Sequence, residues 1–161
     1  MHDTERALLD HNQWANDALI DACDRLTDDQ LDRPFDISRG SLRAIVTHAL
    51  GATRGWTDVL AKRDQRDRLD ETHPYTPADW SRMAPEIHAD LADAALSGPM
   101  DEILTPQRRG KTHRFVRAHV IAHATTHAVH HRAQCLQILK QLGVDPLPQS
   151  SVVEWMLEHQ S

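Results

Sequence analysis

The sequence predicts an all-α fold, a helix bundle with a short C-terminal helix. Three observations support this. Apolar residues recur at helical spacing in four long segments. No run alternates with period two and aromatic residues make up only 4%, so strand signals are nearly absent. The 161 residues suffice for one domain with a real core, and residues 1–161 are expected to form a single domain.

The first helix is expected from about Asp3 to Leu26, where Leu8, Ala15, Leu19, Ala22 and Leu26 follow helical spacing. The stretch "TDDQLDRPFDISRGS" reads as a loop punctuated by Pro34 and Gly40. Ser41 is a plausible N-cap for a second helix reaching about Lys62, with Leu42, Ile45, Val46, Ala49, Trp56, Val59 and Leu60 as its apolar stripe. A charged surface connection, "RDQRDRLDETHPY", follows. Thr76-Pro77 is a cap-then-proline start for a third helix to about Leu96, kinked or split at Pro85. "SGPMDEILTPQRRGK" reads as a loop, and a fourth helix is expected from about Thr112 to Leu142, stopped by Gly143. Ser151 and Glu154 have capping-box spacing for a short last helix.

Composition narrows the function. Net charge is -6 and the basic residues are scattered, so nucleic-acid binding has little electrostatic support. No apolar run is long enough to span a membrane, and the N-terminal stretch is charged, which leads us to expect a cytoplasmic protein. Cys23 and Cys135 form no disulfide framework and read as buried thiols.

The fourth helix carries the chemistry. Its stretch "AHVIAHATTHAVHHRAQ" holds His119, His123, His127, His130 and His131. With Phe115 at 0° and about 100° per residue, His127 and His131 fall near 120° and 160°, among Val120, Ala124, Cys135 and Ile138. His119, His123 and His130 fall at roughly 40–80°, on a polar arc. The first pair, one turn apart on an inward face, can converge on one metal ion, or can be two core histidines satisfied by hydrogen bonds. His48, at the edge of the second helix's apolar arc, could complete a three-histidine site or be a core residue. Ile121, Leu136 and Leu139 point well away from the His127–His131 direction and suggest a face for a partner helix or a homodimer.

At "HNQWANDALIDACDRLTDDQLDR", "GSLRAIVTHALGATRGW", "HATTHAVHHRAQ" and "LPQSSVVEWMLEH", the chain resembles the DinB-like family of helical-bundle metalloproteins, which includes the YfiT-like proteins. The third stretch is similar to that family's H-x-x-H-H-R-G-Q signature, with Ala133 where glycine is common. Ser151 stands where an Asp is common. The resemblance implies an up-down-down-up four-helix bundle, usually dimeric, and a divalent metal held by His48, His127 and His131. It also implies activation of a low-molecular-weight thiol, as in thiol S-transferases and a thiol-dependent isomerase.

Three imidazoles leave a coordination position open, which suits a metal that activates a thiol or water. Zn fits three nitrogens best, and Ni, Fe or Mn are compatible. The leading expectation is a metal-dependent thiol transferase acting on a small electrophile in detoxification or stress. The alternatives are a metal-dependent hydrolase and a non-catalytic metal- or ligand-binding stress protein. No Glu stands in the motif as a general base, which counts against hydrolysis. His123 and Arg132 are the residues expected to support the ligands from outside. Asn12 and Trp14 are candidates to hold the thiol, with Asn16 and Gln134 beside them. Ordinary roles compete for each: Trp14 in the core, Arg132 in a surface ion pair, and the amides solvated.

Overall fold

A computed structural model describes residues 3–108 and 110–159. Four long helices dominate: α1 (Asp3–Cys23), α3 (Leu42–Leu60), α4 (Pro77–Leu96) and α5 (Arg117–Gln141). Two short ones, α2 (Asp28–Asp32) and α6 (Val152–Glu158), complete the helical set. Their starts follow the expected chemistry. Ser41 caps α3 by accepting from the Ala44 amide, while Thr76 and Ser151 form capping boxes with Asp79 and Glu154. Gly143 follows α5 at φ 82°, a left-handed turn that glycine makes without strain.

Four expectations are corrected. First, α1 ends at Cys23, and the stretch read as loop contains α2, started by a Thr27–Gln30 capping box and tied down by Arg43. The Arg43 guanidinium, nearly fully buried, donates to Asp28 and Asp32 and to the Tyr75 carbonyl. Second, Pro85 lies inside one continuous helix rather than dividing it. Third, α5 begins at Arg117, because short strands within residues 103–108 and 110–116 pair antiparallel. Of these, β1 (Ile103–Leu104) pairs with β4 (Phe115–Val116), and β2 (Gln107–Arg108) with β3 (Lys111–Thr112). Fourth, Ile121 and Leu139 are buried within the chain, and Leu136 packs against its core, so none of them needs a second subunit.

The helix directions follow from the contacts. His48 meets His131 while Trp56 meets His123, so α3 and α5 are antiparallel. Trp80 reaches Thr47 while Asp90 reaches Arg63, so α3 and α4 are parallel. Leu9 shares a cluster with Val120 and Leu91, while Leu19 shares one with Cys135 and Trp80. Thus α1 runs parallel to α5 and antiparallel to α4, and the bundle is up-down-down-up. Around it, α1 touches α4 and α5, and α3 touches the same two.

Arg117 locks one end. Its fully buried guanidinium donates to the Ala94 carbonyl at 2.5 Å and the Leu60 carbonyl at 3.2 Å, joining the C-terminal ends of α3 and α4. Glu102 supplies the countercharge at 2.5 Å. A Cβ at Gly98 would stand 2.8 Å from that carboxylate and 3.1 Å from Arg117, which explains the glycine.

The apolar core is two clusters stacked along the bundle, one around Trp80 and Ile138, the other around Leu91 and Ile121. On α1, α4 and α5 the residues between the clusters include Asn12, Asn16, His88, His127, His131 and Arg132. This polar layer at mid-height is where the candidate site lies.

Candidate metal centre

His127 and His131 lie one turn apart on α5, and their rings meet with centroids 4.4 Å apart. Their Nε2 atoms are 3.2 Å from each other. Two nitrogens on one tetrahedral zinc stand about 3.3 Å apart, from bond lengths of 2.0–2.1 Å, so the pair is already spaced as two corners of such a site. The His48 ring arrives from antiparallel α3, with centroids 4.8 Å from His131 and 5.5 Å from His127. One nitrogen from each of the three rings lies within 4.8 Å of the others, a group that could hold a metal ion.

Two of the rings are held from behind. His131 Nδ1 is 2.8 Å from Gln134 Oε1, so Nδ1–H donates and Nε2 keeps its lone pair toward the cluster. The amide nitrogen of Gln134 in turn donates to His130 at 2.9 Å. His48 Nδ1 is 2.8 Å from Glu71 Oε1. A carboxylate only accepts, so this ring donates from Nδ1, and its Nε2 lies 3.4 Å from the Arg39 guanidinium. Arg39 lies 3.0 Å from the same Nδ1 and pairs with Glu71 at 3.5 Å. A carboxylate on the far nitrogen of a histidine is the usual brace of a metal ligand.

Glu71 belongs to the charged connection between α3 and α4, read from the sequence as plain surface. A network anchors that connection. Asp58, fully buried, accepts from Arg63 Nε at 2.7 Å and from the Arg66 amide at 2.9 Å. Burial opposes the charge of Asp58, but these bonds outweigh it and hold its pKa below the usual carboxylate value. Both arginines also pair with Asp90 on α4. Leu69 then packs on α3, where a Cβ at Gly51 would touch it at 3.4 Å. The connection is thereby drawn over α3 and sets Glu71 on His48.

His127 and His131 are neutral at physiological pH. Burial, followed by the neighbouring imidazoles, lowers the His127 pKa to about 4. Burial also lowers that of His131. Lone pairs are therefore available near pH 7 without paying for deprotonation.

The DinB family model matches residues 1–157. The chain belongs to the DinB family. No match was found among curated proteins.

The remaining histidines of this DinB-family chain divide as the helical wheel indicates. His119, His123 and His130 are exposed. His123 stands at the rim, 5.6 Å from the His127 ring and edge-on to Trp56 at 4.6 Å. It lines a cavity of about 340 Å³ that also touches His48 and His127. Arg132 points the other way. It is 2% exposed and, among the described residues, has no carboxylate partner, which corrects the reading of a surface ion pair. Its guanidinium donates to Asn16 Oδ1 at 2.9 Å, Asn12 Oδ1 at 3.3 Å and Ser150 Oγ at 3.1 Å. Neither Asn12 nor Trp14 lines the cavity. Asn12 is buried beside Arg132, and the Trp14 indole donates to Glu158 at 3.0 Å, fixing α6 against α1. The wheel did not reveal Glu71 or Arg39. Each lies in an irregular segment, where spacing has no period to read.

Proposed function

We propose that this protein is a metal-dependent thiol S-transferase of detoxification or stress response, with His48, His127 and His131 as the metal ligands. The observation that carries this is a three-nitrogen cluster, oriented by Gln134 and Glu71, at the edge of a cavity. Zn suits the donor set and the tetrahedral spacing of His127 and His131; Ni, Fe and Mn are the competing ions. A divalent ion there supplies the positive charge that lowers the pKa of a thiol at its open position. The chain's own part is to hold three rings in place, brace two of them from behind, and keep one side open. Glu71 is committed to His48 and Arg39, which makes it a brace rather than a base for water and favours thiol transfer over hydrolysis. His123, exposed at the rim, is placed to take up the thiol proton. The two cysteines are buried, and burial raises the pKa of both, so neither competes as nucleophile.

A cytoplasmic setting fits a substrate thiol that must stay reduced. Among the described residues no helix is long and apolar enough to cross a membrane. A homodimer is part of the proposal. It is supported by the apolar surface that α6 leaves open, with Val153 59% and Leu157 64% exposed.

The test is transfer of glutathione, mycothiol or cysteine to monochlorobimane by protein loaded with each metal. In the reaction a sulfur–carbon bond forms, the carbon–chlorine bond breaks, chloride leaves and the thiol proton passes to solvent. We expect turnover that requires metal and vanishes in His131→Ala. Metal-loaded protein that transfers none of these thiols would overturn the reading.

A further inference from the structure

The cavity beside His48 and His127 has features that a metal site alone does not require. Its floor is α3. Gly51 and Gly55 both line it, and glycine is a poor residue for a helix interior. Gly51 has a packing reason, since Leu69 rests against it. Gly55 has none: a Cβ built there meets nothing within 4 Å. Its missing side chain leaves bare helix facing open space. Gly55 lies two turns beyond His48 on nearly the same face, about 10 Å along the axis.

Charge on the cavity wall is uneven. Arg66 is consumed by Asp58 and Asp90, and Glu71 by His48 and Arg39. Arg54 is half-buried, and no hydrogen bond or ion pair among the described residues engages its guanidinium. Arg68 and Asp67 are both exposed and of opposite charge. What remains is Arg54, which no ion pair among the described residues engages although it also borders a second cavity with Glu86 and Asp90, next to an unfilled stretch of helix, with the Trp56–His123 edge as the apolar wall.

We propose that this cavity binds an extended anionic organic ligand, which lies along α3 on the bare backbone at Gly55 and places its negative group on Arg54. The other end of the ligand reaches His48 and His127, and that part of the inference rests on the metal reading above. Arg54 is then a specificity residue: it selects a carboxylate-bearing or similarly anionic thiol over a neutral one of equal length.

Two probes of matched length separate the claims. Both 6-mercaptohexanoate and 6-mercaptohexanol span roughly the axial distance from His48 to Gly55, and neither closes a small chelate ring on a metal. Their affinities for Co(II)-loaded protein are read by calorimetry, and Co(II) uptake by mass spectrometry. The wild type should bind the hexanoate about tenfold more tightly than the hexanol, the scale of one charge-assisted hydrogen bond. Arg54→Gln should erase that preference while leaving hexanol affinity unchanged. Gly55→Leu should weaken both probes at least tenfold, keep Co(II), and raise rather than lower the thermal midpoint, because a helix former replaces glycine. Equal affinities in the wild type, a preference that survives Arg54→Gln, or full binding by Gly55→Leu would each overturn the proposal. A wild type that takes up no Co(II) overturns the metal reading instead, and the same titrations on metal-free protein then still judge the anion seat.

Discussion

His131 and Arg132 are consecutive on α5 and point about 100° apart, into two polar regions of opposite character. On the His131 side, three imidazoles turn ring nitrogens toward one another, and two of them, His48 and His127, line a cavity of about 340 Å³. On the Arg132 side, Asn12, Asn16, His88 and Arg132 are joined by hydrogen bonds inside the bundle. There donors are in surplus: Asn12 Nδ2, His88 Nδ1 and Arg132 Nη2 make no hydrogen bond among the described residues. A void of about 20 Å³ beside Arg132 and Asn16 has room for a single water. Burial lowers a histidine to about 4 in both regions, His127 in one and His88 in the other. A displaced pKa therefore does not separate a functional cluster from a structural one. Ring nitrogens gathered at the edge of a cavity do.

The sharpest way to break this comparison is to remove donors on the His131 side. His48→Ala, His127→Ala and His131→Ala should each lose bound metal entirely, while His119→Ala and His130→Ala should keep it. Metal content by mass spectrometry, with circular dichroism to confirm folding, decides. Folded His127→Ala with a full complement of metal would dissolve the distinction between the two regions.

Next in size is the opposite side. Arg132→Ala leaves the oxygens of Asn12, Asn16 and Ser150 without their donor and should cost about 1–3 kcal/mol of folding stability. Metal content of the folded fraction should not change. Urea denaturation measures the first, and loss of metal from folded Arg132→Ala would show that the regions are coupled.

The pH dependence of His88 is comparable. Its pKa is about 4 in the fold, because of burial and then the Arg132 charge, against 6.5 ordinarily. Below pH 6.5 the unfolded chain takes up a proton that the fold refuses, so stability falls as pH drops from 6.5 toward 4 and levels off beneath. The full difference is about 3 kcal/mol. It is read as wild type minus His88→Gln in urea titrations across that window. Parallel curves would show that His88 contributes nothing.

The smallest effect sharpens the role of the connection. Glu71→Gln should weaken metal binding about 10–100-fold by removing the carboxylate behind His48, with folding stability little altered. Competition with a chromophoric chelator measures it, and unchanged affinity would leave Glu71 as surface charge only.

Local information reached far in this chain. The caps at Ser41, Thr76 and Ser151 and the helical periods depend on neighbours within one or two turns, so they were readable as spacing. The same holds for His127 and His131, which are on one face because one helix puts them there. Residues whose partners are distant in sequence were not readable in this way. The paired strands at residues 103–108 and 110–116 are too short to show a period, and their pairing is settled only when they meet at the end of the bundle. Ile121 and Leu139 point away from the histidines, yet both are buried in the core clusters that the long helices share, so their angle suggested a free face that packing removes. Arg132 resembles a surface cation by type, and burial against α1 makes it an internal clamp. Glu71 gains its function from the Asp58–Arg63–Arg66–Asp90 network, which draws an irregular segment across α3. A helix repeats its geometry every turn and so advertises its faces. A loop has no repeat, and the position of its side chains is decided by what the rest of the chain builds around it.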